Sequence, residues 1–283
     1  MIQSTVNFII ITLIILAAIS NGKSYATQEA SISSPNFWNL KSGHTRPNQL
    51  PSRIQFLATD DFPPFVFRDP EDRLTGFNVD LARALCQELQ VSCSLRIKKF
   101  EDLLVALEEE EGDAIIAGLA RAPEMASRLA FSDDYLKLPA RFVSTANATD
   151  GLVSVPDLKD KQVSVEAGSR HAVFAGRFFP EAQVIEYSSL SDARAAVASG
   201  DVDYHFGDGL SLSFWLQSAA ANDCCAFSGG PWLEPGYFDS GLAIATRRDD
   251  QSTLDALNYG LYALYKNGKY QELYLRYFPL SFY

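Results

Sequence analysis

The sequence predicts an α/β protein built from two consecutive units, each with a mostly parallel sheet flanked by helices. From Ile54 onward, short runs rich in β-branched and aromatic residues alternate with helical periods, which is typical of βα units. The same alternation restarts at Gln162, after a stretch marked by Gly, Pro and Asp. With 283 residues, 47% of them apolar, the chain is large enough to bury two cores.

The first unit alternates strands and helices. Its predicted elements are strands at 54–59, 95–98 and 114–118 and helices at 78–89 and 101–111. Asn78 is the predicted N-cap of the first helix, whose leucines recur in i, i+4 steps along a buried stripe. The second helix ends in an acidic run, Glu108 to Glu111, which we expect to be solvated because acids near a helix C-terminus oppose its dipole.

The second unit repeats the alternation. Its predicted elements are strands at 162–167, 184–187 and 202–206, a helix after Gly168-Ser169, and helices at 191–199 and 209–221. The segment 228–238 contains Gly and Pro breakers; a strand at 241–246 and two closing helices follow. The leucine and tyrosine stripes of the closing helices indicate packing rather than a cofactor motif.

The N-terminal segment predicts export. Residues 6–19 form an apolar stretch of signal-peptide length, shorter than the roughly 20 residues that span a bilayer. Small residues at Ser24 and Ala26 suit cleavage after Ala26, so residues 1–26 are the predicted signal peptide. No Lys or Arg precedes the apolar stretch, which keeps an uncleaved anchor as the alternative. Residues 27–49 are predicted to be a flexible leader or an arm laid on the surface.

Charge and motifs exclude several function classes. Lys and Arg total 24 against 35 Asp and Glu, a net charge of −11 that disfavours nucleic acid or anionic lipid as the main partner. The cysteines and the three histidines lack the spacing of metal ligands, so no metal site is expected. The sequence has no GxSxG, P-loop or GxGxxG motif, and no cofactor is expected.

A series of short phrases, in order along the chain, resembles the family 3 extracellular solute-binding proteins, which in bacteria deliver polar amino acids to ABC transporters. The phrases lie at 58–65, 74–82, 113–118, 131–135, 158–163, 168–169, 200–203 and 267–270, and the resemblance spans roughly residues 53–278.

The resemblance implies a two-lobe periplasmic-binding-protein fold of type II, joined by a two-strand hinge, that traps a small polar solute by lobe closure. Lobe 1 is expected at 50–138 and 235–283, and lobe 2 at 139–234. The implied protein is a periplasmic, monomeric, non-catalytic carrier whose second partner is an ABC transporter permease.

The resemblance also implies ligand-contacting residues. Phe62 takes the place of an aromatic that packs over the ligand, with ordinary lobe packing as the alternative. Asp60 takes the place of an acid used by cationic-amino-acid binders, with a cap or solvated turn as the alternative. Gly118 and Ala120 match the stretch that holds the α-amino and carboxylate groups, although Ala120 lacks the hydroxyl. Asp208 matches the lobe 2 acid that accepts from the α-ammonium group.

Met125 is the largest departure from the family pattern. It ends the triplet Pro123-Glu124-Met125, where the family places an arginine that clamps the ligand carboxylate, and a thioether carries no charge. Arg121 and Arg170, which follows the predicted ligand residue Ser169, are the candidate replacements; both are equally compatible with surface arginines. Met125 lining an apolar pocket is a further alternative.

The four cysteines form two close pairs. Cys86 and Cys93 resemble the disulfide of the lysine/arginine/ornithine- and histidine-binding relatives. Cys224 and Cys225 are adjacent, so a vicinal disulfide, scrambled pairing or two free thiols all remain open.

Two further functions are compatible with the resemblance. One is a periplasmic enzyme similar to cyclohexadienyl dehydratase, in which Glu166 or Asp208 would act as general acid. The other is an accessory or sensory binding module, like those associated with quinoprotein dehydrogenases, which the altered carboxylate clamp would suit.

Overall fold

A computed structural model describes residues 44–119, 125, 127–145, 153–238, 241–278 and 280–283. The strands, in chain order, are β1 (Arg53–Ala58), β2 (Asp61–Phe62), β3 (Val66–Arg68), β4 (Leu74–Thr75), β5 (Ser92–Ile97), β6 (Ala114–Ile115), β7 (Leu129–Phe131), β8 (Leu136–Lys137), β9 (Ala140–Thr145), β10 (Gln162–Glu166), β11 (Gln183–Tyr187), β12 (Tyr204–Asp208), β13 (Cys225–Trp232), β14 (Gly241–Leu242) and β15 (Ala245–Arg247). The α-helices are α1 (Phe77–Leu89), α2 (Leu103–Glu108), α3 (Arg170–Phe178), α4 (Leu190–Ser199), α5 (Gly209–Leu216), α6 (Gln251–Lys266) and α7 (Lys269–Tyr277).

The first sheet has the strand order β5-β1-β6-β15-β7. Strand β1 pairs in parallel with both β5 and β6, whereas β15 runs antiparallel to β6 and β7. Its largest core cluster joins β1 to α1, α6 and α7, with Phe56, Phe77 and Tyr274 fully buried. This sheet with its helices is called the first lobe below.

The second sheet has the order β11-β10-β12-β9-β13. Strand β10 pairs in parallel with β11 and β12, and β9 and β13 complete the sheet in antiparallel pairs. An aromatic cluster that includes Phe142, Phe174 and Phe206 packs under α3, and a second cluster lies on the α4 and α5 side. This sheet with α3 to α5 is the second lobe, and the predicted α/β fold of two sheets is confirmed.

The start of α1 differs from the prediction. Gly76, not Asn78, is the N-cap; its φ is 129°, and a Cβ there would lie 2.2 Å from the Phe65 carbonyl oxygen, so the position requires glycine. Asn78 lies inside the helix, fully buried, and its Nδ2 donates to the Ile116 carbonyl at 3.3 Å. The N-cap prediction was wrong because this asparagine serves a tertiary contact.

Several other segments depart from the sequence pattern; for example, the predicted helix at 209–221 ends at Leu216. The predicted helix at 101–111 begins as a 3₁₀ turn, Phe100–Asp102, and α2 covers only Leu103–Glu108. Strand β13 continues through the glycines of the breaker segment to Trp232, with an irregular register after Ser228. The predicted strand at 241–246 is divided into β14 and β15, which belong to different sheets.

The acidic run after α2 is exposed but paired at both ends. Glu108 accepts from Arg128 Nε at 2.6 Å, and Glu111 lies 2.7 Å from Lys98 Nζ. These two acids are therefore stabilised by neighbouring cations, which offsets their unfavourable position near the C-terminus of the helix.

Two segments cross between the lobes next to the short antiparallel pair of β8 and β14. The chain leaves β8 for β9 in the second sheet and returns from β13 to β14. The C-terminal residue closes this region, since the Tyr283 hydroxyl accepts from the Lys137 N–H at 2.7 Å. A pair of crossing segments is the geometry expected for a hinge.

Both cysteine pairs are disulfide-bonded. The bridge between Cys86 and Cys93, at a Cα separation of 6.1 Å, confirms the predicted pairing. Cys224 and Cys225 form a vicinal disulfide, one of the alternatives that the sequence left open.

The predicted signal peptide lies outside the described residues, as does the leader up to residue 43. The end of the leader contacts the first lobe: His44 Nε2 lies 2.7 Å from Asp133 Oδ2, and Arg46 donates to the Leu89 carbonyl. Of the helices that the structure describes, none combines the length and apolar character required to cross a bilayer.

Candidate functional site

Most of the predicted ligand residues lie just beyond the carboxyl ends of parallel strands, the edge at which open α/β sheets bind ligands. In the first lobe, Asp60 and Phe62 follow β1, and Gly118 follows β6. In the second lobe, Ser169 follows β10 and Asp208 ends β12. The first-lobe group is called the first wall below, and the second-lobe group is called the second wall. Among the described residues, no hydrogen bond or ion pair joins the two groups.

Phe62 and Gly118 form the apolar part of the first wall. The Phe62 ring is stacked on Phe65 at a centroid distance of 4.7 Å and packs against the first-lobe core. Gly118 has φ +73°, and a Cβ on it would lie 2.5 Å from Cε1 of Phe62. The glycine thus lets the half-buried ring approach the backbone that follows β6. The ring therefore takes part in lobe packing, the alternative that the sequence left open for Phe62.

Asp60 is paired within the chain. Its Oδ2 accepts from Arg68 Nε at 2.7 Å, and the same guanidinium donates to the Asp72 carbonyl at 3.0 Å. Neighbouring Asp61 accepts from the Thr59 hydroxyl. Arg68 therefore stands beside the acid that the resemblance assigns to a cationic ligand group.

The structure describes only part of the segment after β6, in which Met125 stands where the family places a carboxylate-binding arginine. Ala120 and Arg121 lie outside the described residues, and their predicted contacts stay predictions. Met125 is half-buried and packs against the first-lobe cluster that contains Leu57, Leu103 and Leu107. Its thioether therefore takes part in core packing under α2.

The second wall brings Arg170 and Asp208 together. Ser169 is the N-cap of α3 and accepts from the Ala172 N–H, which places Arg170 at the first helical position. Asp208 is the N-cap of α5 and accepts from the Ser211 N–H at 2.8 Å. Arg170 Nη2 lies 3.9 Å from Asp208 Oδ2. The wall thus presents one cation and one anion side by side.

Arg170 is held by the segment that returns from the second lobe. Its Nη1 donates to the Tyr237 carbonyl at 3.4 Å, and its guanidinium carbon lies 5.6 Å from the centroid of the Phe238 ring. The side chain remains 45% exposed.

The environment of Asp208 opposes its ionisation. Burial raises the pKa of Asp208, whereas the Ser211 N–H and the guanidinium groups of Arg170 and Arg194 act against that rise. Removal from water is the larger effect, so a cationic solute group placed against this carboxylate would gain a strong, charge-assisted partner.

A match to known sequences identifies the family. Residues 54–280 match the sequence profile of the bacterial extracellular solute-binding proteins, family 3. The chain belongs to this family.

Two relatives in this family are about 30% identical to this solute-binding protein over the aligned residues. The Escherichia coli K12 protein called ABC transporter arginine-binding protein 1 is 30% identical over 227 residues, 80% of this chain and 91% of its own. The L-arginine-binding protein of Pseudomonas aeruginosa is 31% identical over 237 residues, 82% of this chain and 90% of its own.

Solved structures with the same fold include an ancestral cyclohexadienyl dehydratase, with a TM-score of 0.69 and 24% identity over 81% of this chain and 93% of that one. The unliganded, open L-cystine solute receptor of Neisseria gonorrhoeae has a TM-score of 0.68 and 18% identity over 80% of this chain and 92% of that one. At these identities the likeness shows the fold.

Arg194 is a residue of this solute-binding protein that sequence reasoning missed. Its Nη2 donates to Ser211 Oγ at 2.6 Å, and its guanidinium lies 5.8 Å from the Trp215 ring. Burial lowers the pKa of Arg194, and the charges of Asp208 and Glu166 oppose that lowering. An arginine on the largely small-residue helix 191–199 was the signal that could have identified it.

Two histidines lie in the same lobe without forming a metal site. His205 is fully buried with its Nδ1 3.1 Å from Ser164 Oγ, and the His171 ring is stacked on Phe238 at 5.1 Å. Within the described part of the chain, no group of three or more potential metal-ligating side chains converges.

Proposed function

We propose that this solute-binding protein captures an α-amino acid, or a compound with the same charged head group, and delivers it to the permease of an ABC transporter. The observation that carries the proposal is the 3.9 Å approach of Arg170 Nη2 to Asp208 Oδ2 at the cleft edge of the second lobe. A cation and an anion side by side complement the carboxylate and ammonium groups of a zwitterion.

Asp208 is the proposed acceptor for the α-ammonium group. Each charge-assisted hydrogen bond of this kind contributes about 1.5–3 kcal/mol. The carboxylate already sits at the end of β12 and is oriented by the Ser211 N–H, so little ordering is needed when the solute binds.

Arg170 is the proposed clamp for the solute carboxylate, in place of the family arginine that Met125 replaces. A guanidinium can hold a carboxylate through two parallel hydrogen bonds, and the first turn of α3, capped by Ser169, adds the positive end of its dipole. Arg121, outside the described residues, stays the second candidate. The packing of Met125 in the core speaks against an anion bound at that position.

Phe62 and Gly118 are proposed to cover the solute from the first lobe, and Ala120 and Asp60 are proposed to line the same wall. Closure about the two crossing segments would bring this wall onto a solute held by the second lobe. The proposed boundaries are lobe 1 at 50–138 and 235–283 and lobe 2 at 139–234, which place both crossings near β8 and β14.

The proposed location is the periplasm, reached by a signal peptide cleaved after Ala26. Relatives such as the arginine-binding protein of Mannheimia haemolytica are named as periplasmic, and the apolar stretch at 6–19 supports export. We propose that the chain works as a monomer and has no catalytic role.

A thermal-shift panel of amino acids, opines, amines and dicarboxylates tests the proposal. A solute at 1,000 times its dissociation constant stabilises the protein by about 4 kcal/mol, which raises the melting temperature measurably. Stabilisation by at least one amino acid is the expected result. Turnover of prephenate or arogenate, with no solute raising the melting temperature, would instead assign the chain to the dehydratases.

A further inference from the structure

The acid on the first wall of the cleft already has a partner of its own chain. Asp60 Oδ2 accepts from Arg68 Nε at 2.7 Å, and Arg68 is anchored at its other end, where Nη1 lies 3.0 Å from the Asp72 carbonyl oxygen and 3.5 Å from Asp72 Oδ1. Asp60 is two-thirds buried at its side chain, whereas Arg68 is 44% exposed. The Asp60 carboxylate is therefore already paired with a guanidinium that is itself accessible to solvent.

The second wall also places guanidinium groups near its acids. Asp208 faces Arg170 at 3.9 Å, and Asp208 and Glu166 both act on the charge of Arg194. Arg194 Nε is buried and has no hydrogen-bond partner among the described residues. On the first wall, Asp60 faces the guanidinium of Arg68, whereas Asp61 accepts from the Thr59 hydroxyl. On the second wall, Asp208 faces the guanidinium of Arg170.

We propose, on the basis of the proposed function, that Arg68 is a specificity-determining residue that excludes cationic side chains. The solute class is then an α-amino acid whose side chain is uncharged or acidic. A guanidinium or ammonium group entering beside Asp60 would lie against Arg68, and like charges at such distances repel, the more so as closure removes water. An amide, urea or carboxylate group would instead accept from the N–H donors of Arg68.

This assignment separates the chain from relatives that are named for arginine. The E. coli and P. aeruginosa proteins described above are 30% and 31% identical to it, so similarity alone would suggest the same solute. From the Asp60–Arg68 pair we expect the opposite, a preference against arginine. A direct comparison of two solutes tests this expectation.

L-Arginine and L-citrulline are the matched probes, because citrulline has nearly the same shape and an uncharged urea in place of the guanidinium. Isothermal titration of the full mature chain is expected to show citrulline binding at least fivefold more tightly than arginine. In Arg68→Met, which keeps the aliphatic stem, arginine should gain at least fivefold relative to citrulline. Arg73→Met is the control, since Arg73 lies in the neighbouring turn between β3 and β4 and pairs there with Asp69 and Glu71.

Adding Asp60→Asn to the Arg68→Met variant should abolish the gain in arginine affinity. The gain is expected to come from the Asp60 carboxylate, which Arg68 no longer occupies in that variant. Tighter binding of arginine than of citrulline by the wild-type protein, or an unchanged ratio in Arg68→Met, would overturn the inference and leave the proposed function intact. If the wild-type protein binds neither probe but binds another amino acid, Arg68→Met must acquire arginine binding or the inference fails. Absence of binding by every amino acid to both proteins would remove the proposed function itself.

Discussion

Gly118 and Phe62 meet at the edge of the first sheet so closely that a Cβ on Gly118 would lie 2.5 Å from Cε1 of the ring. Gly118 also has φ +73°, a conformation that costs an L-residue about 1–2 kcal/mol. This contact links the two described residues that we propose as the cover of the solute.

Gly118→Ala is expected to lower the free energy of unfolding by about 1–3 kcal/mol and to weaken solute binding about tenfold, because the ring must move. Gly200→Ala is the control: Gly200 has φ +82°, but nothing lies within 4 Å of its Cβ position. It should show the stability loss alone in urea unfolding and leave affinity unchanged. Equal affinity losses in both variants would contradict the proposed role of the contact.

Met125→Ala separates core packing from solute binding. Met125 is half-buried against the cluster under α2, so we expect a stability loss of about 1–2 kcal/mol, below the range for fully buried methionines. Solute affinity, measured by titration under folding conditions, should stay within twofold of the wild-type value. A tenfold loss of affinity would place Met125 in the solute pocket instead.

The two disulfides are expected to differ in their contribution to stability, because they close loops of different length. In the chain-entropy picture the bridge between Cys86 and Cys93, with a sequence separation of 7, contributes about 2–3 kcal/mol. The vicinal bridge of Cys224 and Cys225 closes almost no loop and should contribute about 1 kcal/mol.

Urea unfolding of Cys86→Ala/Cys93→Ala and of Cys224→Ser/Cys225→Ser measures both contributions. A larger loss in the second double variant would show that the vicinal bridge acts through the folded state.

Stability should fall below about pH 6.5 because of two histidines, His205, which is fully buried, and His171, which is partly buried. Burial lowers the pKa of His205 to about 3 and that of His171 to about 4. An unfolded histidine has a pKa of about 6.5, so below this pH the unfolded chain binds protons that the folded chain does not bind. The free energy of unfolding therefore falls with decreasing pH. Each histidine should contribute a loss of about 1.6 kcal/mol between pH 6.5 and 5.

His171→Phe, which keeps a ring against Phe238, should reduce the dependence of the urea midpoint on pH by the share of one histidine. The same slope in this variant and in the wild-type protein would show that His171 is not held neutral by burial.

The fold was predictable because hydrophobic periodicity and turn residues act locally. The strand that became β1, the helix that became α1 and the alternation in the second unit all carry their periods in a few consecutive residues. Asn78 was misjudged because its partner, the Ile116 carbonyl, lies 38 positions away. The N-cap pattern alone cannot show such a contact.

The candidate site was predictable only in part. The resemblance indicated Asp208 and Arg170, and the structure shows that they lie together. Arg68 and Arg194 were not predicted because each is positioned by a partner that the fold supplies: Asp60 on the preceding strand connection and Ser211 from a different helix. Charge pairing of this kind depends on the three-dimensional arrangement of elements. It cannot be predicted from the spacing of residues along the sequence.

The central claim is that Arg170 and Asp208 hold the two charged groups of one solute. Isothermal titration of the wild-type protein, Arg170→Ala and Asp208→Asn with the amino acid that binds most tightly tests it most directly. Arg177→Ala is the control, because Arg177 lies on the same helix and donates to the Tyr237 hydroxyl. We predict at least a tenfold loss of affinity in the first two variants and none in the control. Wild-type affinity in either Arg170→Ala or Asp208→Asn would contradict the account.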